Sequence, residues 1–169
     1  SGHWFTFEHY GIVPDMVVIG KGLGGGVFPM AAVLAKESLN ESIADRAIGH
    51  FTHEKNPVAA AASLVMLKII EEEYLPKMAE KSAWCASRMQ EIKQQFDCVH
   101  DTRIMGLMMG IELRAPQSKS KLNHFAEGVM YRCMDLGLNF KLSMGSTINL
   151  TPPLNVGFEE LDQAFYIIE

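Results

Sequence analysis

The sequence has no excess of basic residues, no long apolar run and no paired set of cysteines, and each absence removes a class of function. Fifteen basic residues against twenty acidic ones leave a formal charge of −5. That sign does not suit a chain that grips nucleic-acid phosphates over a broad face. Nothing approaches the ~18 consecutive apolar residues of a membrane-spanning helix. The three cysteines, Cys85, Cys98 and Cys133, are odd in number, widely spaced and set among apolar neighbours. They read as reduced packing residues of a cytoplasmic protein rather than as a disulfide framework. What is plentiful points to a globular chain: 48% hydrophobic and 21% charged residues over 169 positions are enough to bury a core. The opening Ser1-Gly2-His3-Trp4-Phe5 has no initiator methionine and reads as the interior of something longer.

Local patterns divide the chain near residue 74. Val17-Val18-Ile19 follows the Pro14-Asp15 turn signal and stops at Gly20, as a buried strand does. Met30 to Leu34 reads as a second buried strand, and Glu37 to Ala47 as a short helix. Asn56-Pro57 is an N-cap followed by proline at the first helical position, opening a helix to about Glu72. Pro76 predicts a break. Leu75, Met78, Ser82, Cys85, Met89, Ile92 and Phe96 then step by three and four along one face of a second helix. Ile104 to Leu113 is strand-like with glycine interruptions, and Ala115 to Lys121 is a solvated loop. A helix face runs from Leu122 to Leu136 and stops at Gly137. Short strands at Asn139–Leu142 and Thr147–Leu150 precede a closing helix, Phe158–Ile168.

The most informative stretch is Gly20-Lys21-Gly22-Leu23-Gly24-Gly25-Gly26. A P-loop puts its lysine after the glycines and follows it with Ser or Thr; here it precedes them, so that reading fails. Gly20, Gly22 and Gly25 satisfy G-x-G-x-x-G, but Val27-Phe28-Pro29 does not open the helix that a dinucleotide site needs. Two readings remain on the spacing alone. One is a flexible turn with a snorkelling lysine. The other is a lysine buried at a strand end, where desolvation favours the neutral amine and makes it a Schiff-base nucleophile. His50, His53 and Glu54 follow the order H-x-x-H-E, which matches neither zinc-protease motif, and no third ligand stands nearby; no metal is expected.

The residues around Lys21, above all EHYGIVPDMVVIGKGLGGG, closely resemble the segment that carries the cofactor lysine in class-III aminotransferases. The resemblance continues through GHFTHEKNPVAAAAS, DTRIMGLMMGIEL and TINLTPPLNVGFEELDQA, and so covers essentially the whole chain in order. It implies an α/β chain of the pyridoxal-phosphate-dependent fold type I. Residues 1–73 would close the large cofactor-binding domain and residues 74–169 would form the small C-terminal α+β domain. It implies pyridoxal 5′-phosphate held by Lys21 as a Schiff base, and transamination between an amine or amino acid and a 2-oxo acid. Thr52 falls where the family binds the cofactor phosphate of the neighbouring subunit, so a homodimer with shared sites is implied. His53-Glu54-Lys55 departs from the small and aromatic residues common there, and its role stays open.

Asn149 stands just before Pro152-Pro153, where many members carry an arginine for the substrate carboxylate. A neutral amide cannot form that bidentate pair. Arg103 is a charged alternative whose matched position looks structural. The family's aspartate for the pyridine nitrogen belongs upstream of Ser1, so this segment alone is expected to be inactive. A lyase or racemase on the same fold shares the lysine and the cofactor and stays open, as does a non-catalytic truncated module.

Overall fold

A computed structural model of the chain describes residues 1–41, 49, 51–114 and 119–169. The chain forms two compact units: Phe7–Glu73 is one, and Tyr74–Glu169 with Ser1–Thr6 is the other.

In the Phe7–Glu73 unit, β1 (Met16–Ile19) pairs antiparallel with β2 (Ala32–Ala35), with Val18 opposite Val33. Lys36 closes the open end of this ribbon on Asp15 at 2.6 Å. The strands were expected to be buried, and they are not: Val18 is 78% and Val33 60% exposed. Burial of a strand needs a second layer on its face, and two strands with one helix do not provide it. After the four-residue α1 (Ser38–Glu41), the rest of the helix expected to Ala47 lies outside the described residues. α2 (Pro57–Ile69) starts where the N-cap signal put it: Asn56 Oδ1 accepts from the N–H groups of Val58 (2.9 Å) and Ala59 (3.2 Å).

A π-helical turn, Ile70–Tyr74, replaces the break expected at Pro76. Proline interrupts a helix only where its N–H is needed, and Pro76 sits in the first turn of α3 (Leu75–Gln95), where it is not. The α3 stripe buries Met78, Cys85, Met89 and Ile92 together with Lys81, whose Nζ donates to the carbonyls of Leu154 (3.2 Å) and Val156 (2.5 Å). The segment read as one interrupted strand is a hairpin, β3 (Val99–Met105) and β4 (Met108–Leu113), turning at Gly106. Gly106 has φ +61°, and a Cβ there would lie 2.7 Å from the Ser1 backbone, so the turn requires glycine.

α4 (Lys119–Asp135) follows; Lys119–Lys121 open it rather than a loop, while Ala115–Ser118 lie outside the described residues. β5 (Lys141–Ser143), β6 (Thr147–Leu150) and α5 (Phe158–Ile168) complete the unit. The sheet order is β3-β4-β6-β5, antiparallel throughout. Alternate residues Met109, Ile111, Leu113, Ile148 and Leu150 enter one core with the apolar stripes of α3, α4 and α5. Phe165 anchors it, with the Trp84 ring 5.8 Å away and edge-on. The opposite face of the sheet is polar. No described helix is long and apolar enough to cross a membrane.

Candidate active site

Lys21 owes its place to the end of β1. Gly20 is extended, and the chain then tightens into a single 3₁₀ turn, Lys21–Gly24, closed by the Gly25 N–H on the Gly22 carbonyl at 2.9 Å. Gly25 takes the left-handed conformation that this closure needs, against Met66 of α2. Lys21 is itself left-handed, with φ +51°. A side chain at such an angle costs about 1–3 kcal/mol, a strain that concentrates at functional positions.

Within the chain Lys21 is exposed, which corrects the expectation of a buried amine: the half-open ribbon that ends at Gly20 has no cover to lend it. No carboxylate among the described residues pairs with it. At Gly22 a Cβ would meet nothing within 4 Å. An exposed primary amine on a glycine turn, without an ion-pair partner among the described residues, suits the aldehyde of pyridoxal phosphate.

Thr52 lies in the same unit, exposed, at the head of the turn Thr52–Lys55. Glu54 N–H donates to the Phe51 carbonyl at 3.0 Å, and Lys55 is left-handed with φ +58°. The first N–H groups of α2 are already taken by Asn56, so an anion at this turn would be met by the Thr52 hydroxyl rather than by the helix start. No hydrogen bond joins Thr52 to Lys21 among the described residues. His50 lies outside them, and no group of three or more metal-ligating side chains occurs within them.

Asn149 belongs to the other unit. It is half-buried on the polar face of the sheet, and its Nδ2 donates to Ser143 Oγ. Arg103 sits in the same cross-strand row, where one nitrogen, Nη1, donates to Asp101 (3.1 Å) and Glu112 (2.7 Å). Asp101 also accepts from Lys93 at 2.8 Å. That bond first, then the Thr102 backbone N–H and Arg103, hold the Asp101 carboxyl down to about 2. Arg103 is therefore a structural cation. Sequence reasoning missed Lys141 and Ser143, which line the same cleft as Asn149. The signal was there in Met144-Gly145: both are left-handed, and counting back from that hairpin turn sets Lys141 opposite Asn149.

A profile of the family described as "Aminotransferase class-III" matches residues 1–169. The (R)-1-hydroxy-2-aminoethylphosphonate ammonia-lyase of Vibrio splendidus is 39% identical over 100% of this chain and 36% of its own length. The leucine/methionine racemase of Thermococcus litoralis is 34% identical over 100% of this chain and 38% of its own. The ornithine δ-aminotransferase of Plasmodium falciparum superposes with a TM-score of 0.83 at 28% identity, over 99% of this chain and 42% of that structure. The chain thus spans less than half the length of the proteins it matches.

Proposed function

Because the chain belongs to the class-III aminotransferase family, whose members depend on pyridoxal phosphate, we propose that it is the cofactor-lysine portion of a transaminase. The whole protein would move an amino group between an amine or amino acid and a 2-oxo acid. One observation carries this reading: Lys21 is an exposed amine in left-handed backbone on a glycine turn, with no ion-pair partner among the described residues.

Pyridoxal phosphate, when bound, supplies an electron sink for the pair left by a broken bond at the substrate carbon. Lys21 Nζ would hold the cofactor and, when free, would act as the base that takes the proton from the substrate carbon and as the acid that returns it. Thr52 donates its hydroxyl proton to the phosphate, each copy serving the site of the other in a cytoplasmic homodimer. Residues 1–73 belong to the large domain in this reading and 74–169 to the small one. Catalysis then needs the rest of the protein, and the segment alone is inactive.

Asn149 supports a second reading, a lyase or racemase, since a neutral amide replaces the carboxylate-gripping cation implied for a transaminase. The names of the Vibrio and Thermococcus relatives lean the same way. The full-length protein with a panel of amines, assayed with and without a 2-oxo acid, separates them. Transamination requires the acceptor and yields a new amino acid in equal amount. Ammonia release or racemisation without an acceptor would overturn it in favour of the second reading.

A further inference from the structure

The helix α4 has two distinct faces. Ala126 and Cys133 are buried, and Leu122, Val129 and Met130 pack against the same core. The opposite face is exposed and centred on Gly128, with Phe125 and Tyr131 close to it and Lys121 and Asp135 further out. Gly128 stands near the middle of this 17-residue helix, where glycine is the poorest helix former after proline. Nothing inside the chain requires it there: its φ is not positive, and a Cβ would meet nothing within 4 Å. The remaining use of glycine at such a place is to let another backbone come close from outside.

The residues on either side of Gly128 are matched. Seven residues make two helical turns to within about 20°, so Lys121, Gly128 and Asp135 lie along one line of the helix surface. Lys121 is a cation seven positions before the glycine, and Asp135 an anion seven positions after it. Phe125 and Tyr131 are aromatic rings three positions before and after it. When two antiparallel copies of one helix cross at a common residue, each residue before the crossing meets its counterpart after the crossing on the other copy. Lys121 then faces the partner's Asp135 and Phe125 the partner's Tyr131, each pair occurring twice. Arg132 falls opposite the partner's His124, a flat ring on which a guanidinium stacks. A parallel arrangement would set lysine on lysine and aspartate on aspartate, so the charges select the antiparallel one. Neither Asp135 nor Arg132 has an ion-pair partner among the described residues, whereas Arg88 and Arg103 of the same unit are both paired.

We propose that the exposed face of α4 is a self-association surface, on which two copies pack this helix antiparallel about a two-fold axis at Gly128. The occupant is a second copy because the charges and rings of the face complement that same face reversed. One helix pair covers less than the ~1,200–2,000 Å² of a standing interface, so the contact is weak and forms as concentration rises. It is additional to any sharing of Thr52, which lies in the other unit, and it depends on neither the cofactor nor the reaction.

Sedimentation velocity of the full-length holoenzyme, over about a hundredfold range of concentration, tests the proposal. The mass should rise from that of the dilute species toward twice that value. Gly128→Leu should hold the protein at the dilute mass, because its side chains would occupy the crossing point. Lys121→Asp and Asp135→Lys each bring like charges together twice and should weaken association by about tenfold. Both changes in one chain reverse every pair and should restore it. All three positions are exposed, so the charge variants should keep the wild-type unfolding midpoint, and Gly128→Leu should equal or exceed it. A mass that does not change with concentration overturns the proposal. Association that survives the single charge changes, or that the double change fails to restore, overturns it as well.

Discussion

Lys21, Lys55 and Met144 are the non-glycine residues with positive φ among those described, and each sits next to a glycine-rich or polar turn. Two of them lie in the segments proposed to hold the cofactor. The strain at Lys21 follows from its neighbours: Gly20 ends the strand, and the turn that starts at once leaves the lysine no extended conformation. Charge is arranged with equal economy around Asp101, whose carboxyl is held at about 2 against an ordinary 3.8, first by Lys93. A lowered folded pKa means that the bonds stabilise the fold fully above the ordinary value and are lost as pH falls through the lowered one. The unfolding midpoint of Asp101→Asn should therefore lie below wild type by a constant amount above pH ~4, with the gap closing between there and pH ~2. A gap that persists at the acid end would contradict this account of the network.

At the scale of elements, α5 shows how a short helix is fixed by one ring. Phe165 is 1% exposed and meets Trp84 edge-on, while Phe158, one end of the same helix, is 37% exposed against the same indole. Phe165→Ala should cost about 3–5 kcal/mol of stability in the full-length protein, and Phe158→Ala markedly less. Denaturant midpoints measure both, and equal losses would mean that the core is not centred where described. The bounds of α5, the α3 stripe and the Asn56 cap were legible because each is a local pattern of side chains that the packed unit satisfies. The β3–β4 hairpin was not read, although the positive φ of Gly106 belongs to the local two-residue turn; what the sequence could not show is that a side chain there would also meet the Ser1 backbone. The π turn before Pro76 was hidden because proline marks a helix start as readily as a helix end. Lys21 and Thr52 stood out through their segments, whereas Lys141 emerges only when register sets it beside Asn149.

At the scale of the whole molecule, the Phe7–Glu73 unit leaves much apolar surface uncovered. Val13, Val18, Val27 and Phe51 are each more than two-thirds exposed. Covering a side chain of this size stabilises by about 1.5–3 kcal/mol, so several of them on one small unit mark surface that other protein is expected to cover. A chain spanning 36% of a relative's length fits that expectation. The same gap explains why the sequence predicted a buried β1: its apolar run is written for a layered sheet, and two strands are not one. If each copy lends Thr52 to the other's phosphate, mixed dimers of Lys21→Ala and Thr52→Ala subunits contain one doubly defective site and one intact site. Activity should then reappear on mixing two inactive variants. Failure to recover any would place Thr52 in its own subunit's site.

The account turns on one nitrogen. The full-length protein, loaded with pyridoxal phosphate, can be treated with borohydride to fix the cofactor covalently, digested, and its peptides mapped by mass spectrometry. The modified residue should be Lys21, in the peptide spanning the Gly20–Gly26 turn, and Lys21→Ala should remove both the modification and the visible absorbance. Cofactor fixed on any other lysine, or none fixed at all, would contradict the central claim.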